Sequence, residues 1–278
     1  MWRIVCYRVR CRSQVEDCVM LRRLADALAE RGEPGYLPYM VKGTDTATGQ
    51  NVGLLTKVDP TAGLSRTDAR VAYPVEGNEC GYDGSAGTYG ISKHYHTKFV
   101  IEGIAVSLIG LHLLAFPTQA DRCAQREAQA SVARTLVDAA LLEGEVIVLG
   151  DLNDYSDKVL DVAGNKPTSR VVRILRDGLG SESVNGNKKI SGLVEVGAAV
   201  LQNDRFTAFY EGASTQQQAP GAIKLSTIDH ILLSPRLNSS VVRVSLDHTY
   251  APDAAGESDH WPVVVDFEFQ KAAAQQQR

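Results

Sequence analysis

Two apolar runs in this chain lead directly into or out of reactive side chains, and they constrain the fold more than any other feature. Val146-Ile147-Val148-Leu149 runs into Gly150-Asp151-Leu152-Asn153, and Ser258-Asp259-His260-Trp261-Pro262 runs into Val263-Val264-Val265. Short, continuous apolar runs bounded by turn-forming residues read as buried strands. One of these strands ends in an acid and an amide, and the other begins with an acid and an imidazole. Acids and amides are oxygen ligands for a hard cation such as Mg²⁺. An imidazole can move a proton near neutral pH. Together they point to metal-assisted attack on a phosphate ester.

Alone, each motif could be a simple turn, because Asp and Asn side chains mimic turns at strand ends. Two further signals stand in a fixed order around them. Gly110-Leu111-His112-Leu113 closes the apolar run Ala105 to Ile109, and Thr227-Ile228-Asp229-His230-Ile231-Leu232-Leu233-Ser234 sets an acid within another strand pattern. From about Gln14 to Phe269, this ordered set resembles the endonuclease/exonuclease/phosphatase superfamily, the deoxyribonuclease I-like proteins. The resemblance implies an α/β chain folded as a four-layer α/β/β/α sandwich of two mixed β-sheets. Its site would lie along one edge, where loops from both sheets converge.

The resemblance also implies roles. Asp229 would orient His260, fixing its tautomer beside the scissile phosphate. Asp151 would position or deprotonate the attacking water, Asn153 would donate to a phosphate oxygen, and His112 would be a second imidazole at the phosphate. Asp259 would bind the metal, Mg²⁺ or Mn²⁺. Asp151 and Asn153 are two residues apart, so an extended segment directs both to one side. By the same alternation His230 faces away from Asp229 and reads as structural. Asp154 reads as a turn residue or an extra ligand. Asn51, Lys93 and His94 read as surface residues or as contacts to substrate phosphates.

The pattern breaks in two places. Superfamily members open with a strand carrying an Asn or Asp near the metal, whereas Met1 to Cys6 resembles the next strand along. The Glu that ligates the metal, written Gln-Glu-Val or Ala-Glu-Val in the family, aligns with Gln14, and Glu16 lies two positions on. A neutral amide in place of a carboxylate removes charge from the metal site. Three readings follow. The favoured one is a divalent-metal-dependent phosphodiesterase, nuclease-like, with nucleic acid as the phosphoester substrate. The second is a catalytically impaired member that binds a phosphate-bearing ligand or protein. The third is a lipid or inositol phosphate hydrolase with the same catalytic residues.

Bulk properties bound the rest. The 278 residues fit one large domain, taken as 1–270 with a polar tail over 271–278. Hydrophobic residues at 44% and charged residues at 22% describe an ordinary globular chain. A formal net charge of −4 disfavours a protein that coats nucleic acid but leaves room for local cationic grips. No run reaches membrane-spanning length, no signal-peptide core is visible, and no protein partner is indicated, so an intracellular setting is favoured. The five cysteines, Cys6, Cys11, Cys18, Cys80 and Cys123, show no Cys-x-x-Cys spacing and read as buried free thiols.

Periodicity predicts helices over Val19 to Glu30, Asp121 to Leu142 and around Ser169 to Arg176. In the long helix Ala124, Ala128, Val132, Leu136 and Ala140 form the apolar side, and Arg122 and Arg126 are expected to face solvent. Strands are expected at Asn51 to Lys57, Lys98 to Glu102, Ile104 to Leu114 and Glu145 to Leu149, and near Ile228, Val241 and Val263. The segment containing Gly77, Gly81, Gly84, Gly87 and Gly90 reads as a mobile surface loop.

Overall fold

A computed structural model describes residues 2–6, 17–116, 119–179, 192–211, 223–249 and 258–269. Gln14 and Glu16, the Gln216 to Gln218 stretch and the tail over 271–278 lie outside these residues.

The organising element is a hairpin. Strands β7 (Lys93–Ile101) and β8 (Ile104–His112) pair antiparallel along their full length. They turn at Glu102 and Gly103, both with positive φ (49° and 78°), as a tight two-residue turn between right-twisted strands requires. Helix α2 (Ala120–Leu141) then carries the chain to β9 (Glu145–Asp151), which lies parallel to β8. Earlier in the chain come β1 (Trp2–Cys6), α1 (Cys18–Glu30), the paired β2 (Leu37–Met40) and β3 (Gly53–Thr56), β4 (Ala62–Ser65), and the paired β5 (Val71–Tyr73) and β6 (Gly87–Tyr89). After β9 follow α3 (Val171–Asp177), β10 (Val194–Glu195), the paired β11 (Ala208–Glu211) and β12 (Ile223–Ser226), β13 (Asp229–Leu233), α4 (Pro235–Asn238), β14 (Val241–Leu246) and β15 (Val263–Phe267).

A mixed six-stranded sheet has the order β10-β13-β9-β8-β7-β4, and a three-stranded antiparallel sheet has the order β1-β15-β14. The alternation along each strand shows how they stack. Phe99, Val106, Leu108, Ile147, Leu149, Ile231 and Leu233 face one way and meet Val263, Val265 and Phe267 of the small sheet. Ile109, Leu111, Val146, Val148 and Leu232 face the other way and meet α2 and α3. A period of two thus divides every central strand between two cores. On the other side α1 lies on the β2–β3 hairpin, with Leu21 against Gly53, and Leu54 of that hairpin joins the inter-sheet core. Asp17 caps α1, accepting from the amides of Val19 and Met20. No described helix is long and apolar enough to cross a membrane.

Three expectations are corrected. Arg126 does not face solvent. It is fully buried, as are Glu127 and, nearly so, Arg134, so α2 is covered on more than its apolar side. Cys80 and Cys123 form a disulfide rather than buried thiols, with Cα atoms 5.6 Å apart, and Cys18 is free and exposed. A sequence separation of 43 residues hides that pairing from any spacing rule. The glycine-rich segment is no loose loop either. It forms the β5–β6 hairpin on α2 and is tied down by the disulfide, by Arg170 donating to the Glu76 carbonyl, and by an Arg173–Glu79 ion pair.

Candidate active site

Strand register builds a row of side chains across one end of the large sheet. Lys93 on β7 pairs with His112 on β8, His112 with Asp151 on β9, and Asp151 with Asp229 on β13. All four share the parity of the residues facing the small sheet, so they project into the mouth between the sheets. His112 Nε2 lies 3.3 Å from Lys93 Nζ and 3.5 Å from Asp151 Oδ2.

His260 arrives from the other sheet. The segment before β15 makes a single bridge to Ala208, with the Trp261 amide donating to the Thr207 carbonyl and the Phe209 amide donating to the Asp259 carbonyl. Trp261 is buried edge-on against Phe206 and His248, which wedges the segment in place. His260 Nδ1 then meets Asp229 Oδ2 at 2.7 Å, with both side chains buried. A carboxylate can only accept, so Nδ1 carries the hydrogen and Nε2 is left for chemistry. Asp229 is itself held, its amide donating to Thr207 Oγ1. Asp259 Oδ1 lies 3.9 Å from His260 Nε2.

Gly150 explains how β9 delivers Asp151. Its φ is +143°, and a Cβ there would stand 1.8 Å from the Leu111 carbonyl oxygen. Only glycine lets β8 and β9 approach so closely. Beyond it the Asn153 amide donates to Asp151 Oδ1, while Asn153 Nδ2 donates to the Leu113 carbonyl. The expected role of Asn153 as a phosphate donor is thus qualified, because one amide hydrogen already ties the β8 exit to the β9 exit. Its φ of +51° suits Asn better than most side chains.

Beneath these two loops sits a residue that sequence reasoning set aside. Arg126 Nη1 donates to the Leu114 carbonyl, and its Nη2 lies 3.3 Å from Asp154 Oδ2. Gln129, one turn on, accepts from the Leu114 amide. Asp154 also accepts from Ser169 and from the Tyr155 amide. Burial pushes the Asp154 carboxyl up and the Arg126 guanidinium down, each partly countered by the other's charge. Asp154 is therefore an anchor beneath the site, not a ligand at its surface. His230 faces this side as well, its Nε2 2.9 Å from the Asp154 carbonyl. The one signal available in sequence was an Arg and a Gln spaced by three on a helix after the His112 strand.

The weaker expectations separate. Lys93 stands in the row, held by Gln50 Oε1 at 3.2 Å and Asp45 Oδ2 at 3.7 Å. Burial raises the Asp45 carboxyl, but hydrogen bonds from Thr48 and the Ala47 amide, with the Lys93 charge, outweigh it and hold it low. His94 points the opposite way, buried, with Nε2 accepting from the Thr67 amide. Burial first, and the Arg66 charge second, lower its pKa to about 4. Asn51 Oδ1 accepts from the Gly43 amide and shapes a loop.

Among the described residues, one ligand atom from each of Asp151, Asp229 and His260 lies within 4.8 Å of the others. Because Asp229 and His260 are engaged with each other, the carboxylates of Asp151 and of Asp259, which stands beside His260, are the oxygens here that suit a hard divalent cation.

No protein-family model and no curated protein matches the sequence. Solved structures do match the fold. The 3′–5′ exonuclease NExo from Neisseria meningitidis is 16% identical with a TM-score of 0.53, covering 96% of this chain and 100% of that one. D. rerio TDP2, solved with a single-strand DNA product, is 16% identical with a TM-score of 0.51, covering 88% and 81%. The chain therefore shares the fold of these proteins, the deoxyribonuclease I-like fold.

Proposed function

We propose that this protein is a divalent-metal-dependent phosphoester hydrolase, a phosphodiesterase acting on nucleic acid. The observation that carries the reading is the row Lys93, His112, Asp151, Asp229, closed from the opposite sheet by His260. It joins a proton acceptor, an oriented imidazole and a fixed cation at one sheet edge, as in-line attack of water on phosphorus requires.

In this reading Asp151 aligns the water and takes its proton as the oxygen bonds to phosphorus. His260, oriented by Asp229 and protonated on both ring nitrogens, donates from Nε2–H to a phosphoryl oxygen and stabilises the charge that gathers there. Lys93 and His112 hold a second oxygen, and the ester bond opposite the water breaks, its electron pair leaving on the ester oxygen, which takes up a proton from solvent. Asp45, Asp151, Asp229 and Asp259 outweigh Lys93 at this mouth, so a dianionic transition state needs a further positive charge. A divalent cation, Mg²⁺ or Mn²⁺, would supply it, held by Asp259 with Asp151 and, from the N-terminal segment, Gln14 or Glu16.

The test is hydrolysis of bis(p-nitrophenyl) phosphate and of a single-stranded oligonucleotide, with Mg²⁺, with Mn²⁺ and with chelator. Metal-dependent turnover that is lost in His260→Ala supports the reading. A folded protein that binds the oligonucleotide but never cleaves it, with either metal, would refute it.

A further inference from the structure

The edge that carries the row does not stop at Lys93. Strand β4 pairs antiparallel with β7 through Ala62–Lys98 and Ser65–His96, so the chain leaving β4 runs toward the same end of the sheet. The Thr67 amide reaches His94 Nε2, which sets the segment from Arg66 to Arg70 beside the start of β7. A cleft of about 200 Å³ opens there, with Thr44, Arg66, Asp68, Arg70, Tyr89 and Ser92 among its walls. Ser92 immediately precedes Lys93, and its carbonyl accepts from the Thr44 amide. Although His94 lies on the face opposite the row, the Thr44 and Ser92 walls adjoin Asp45 and Lys93, so the cleft borders the Lys93 end of the row.

Two guanidiniums in its walls, Arg66 and Arg70, outnumber the one carboxylate, Asp68. Arg70 is pre-organised, with Nη2 donating to the Thr88 carbonyl at 2.6 Å, Nε to Thr88 Oγ1 at 3.3 Å, and the guanidinium over the Tyr89 ring. Arg66 pairs with Asp68, whose side chain is 86% exposed. The Arg66 side chain is only 15% exposed, but its partner stands in water, so a phosphate offering charge-assisted bonds to the same guanidinium can displace Asp68.

We propose that this cleft is a phosphate-binding subsite for a nucleotide flanking the scissile bond, so that the substrate is a polynucleotide strand laid along the sheet edge. The assignment rests on the hydrolase reading and sharpens its substrate. Arg66 and Arg70 bind the flanking phosphate, and Tyr89 forms a wall beside it.

The test uses the full chain and three probes: bis(p-nitrophenyl) phosphate, a dinucleoside monophosphate and a short single-stranded oligodeoxynucleotide. Wild-type kcat/KM should rise from the dinucleoside to the oligonucleotide. In Arg66→Glu the oligonucleotide value should fall about ten- to a hundredfold relative to that for bis(p-nitrophenyl) phosphate, and Arg66→Lys should recover most of the loss. The salt dependence of oligonucleotide binding should become shallower by about 0.7 in the log–log slope for the lost contact. An unchanged ratio in Arg66→Glu, or a dinucleoside turned over as well as the longer strand, overturns the subsite. If the wild type hydrolyses none of the probes, the hydrolase reading fails by itself. Fluorescence anisotropy of the labelled oligonucleotide then decides the cleft: weaker binding by Arg66→Glu supports it, and equal binding overturns it.

Discussion

Replacing Gly150 by alanine tests the link between strand packing and site geometry. The added Cβ would lie 1.8 Å from the Leu111 carbonyl oxygen, 2.8 Å from its carbon and 3.0 Å from its nitrogen, all rigid backbone of β8. Strand β8 must retreat by more than about 1 Å, or β9 must abandon its path. Overpacking of this kind costs about 1–3 kcal/mol. Holding a side chain at φ +143° adds about 1–3 kcal/mol. A combined loss of about 4 kcal/mol is expected, which for a chain of this size lowers Tm by about 10 °C. The Leu113 amide donates to the Asp151 carbonyl across the same gap, and His112 lies 3.5 Å from Asp151, so the retreat also opens the row. Thermal unfolding and phosphodiester turnover of Gly150→Ala measure the two effects. A melting point within about 2 °C of wild type together with normal turnover would show that the β8–β9 contact does not set the site.

Arg126→Met should cost about 3–5 kcal/mol in denaturant unfolding because it strands Asp154, and Arg126→Met/Asp154→Asn should recover part of that loss. Additive losses would mean the pair is not coupled. Asp229→Asn and His260→Ala should each slow turnover by about a hundredfold or more, and the double variant should be little worse than either single one. Effects that multiply would dissolve the dyad. His94, with its folded pKa at about 4, stays neutral where the unfolded chain is already protonated, so stability falls as pH drops from about 6.5 toward 4. The full loss is about 3 kcal/mol, and unfolding of His94→Gln across that window should lack this component. An acid limb identical in the variant would assign the loss to other groups.

The strands were legible because each central one alternates between two cores or ends in a turn residue, and the order of His112, Asp151, Asp229 and His260 follows from those strand ends. The ionic interior was not legible. Arg126 and Asp154 are 28 residues apart, and Arg170 and Glu127 are 43 apart. A helix pattern ranks charged residues as solvent-facing unless their partners are known. The Cys80–Cys123 pairing was hidden for the same reason. His94 shows the limit within one strand, since next to Lys93 it belongs to the opposite face.

The pairing of Asp229 with Asp151 gives the site a parity. If β13 slipped by one residue against β9, His230 or Ile228 would enter the row and Asp229 would turn toward the helices. A slip of two would restore the facing but carry the carboxylate about 7 Å along the strand, out of reach of His260. No small adjustment lies between these states, so the dyad is either in register or absent. Insertions and deletions in the lineage of this chain should therefore collect in the connections outside β9 and β13, leaving the count of residues within each strand fixed.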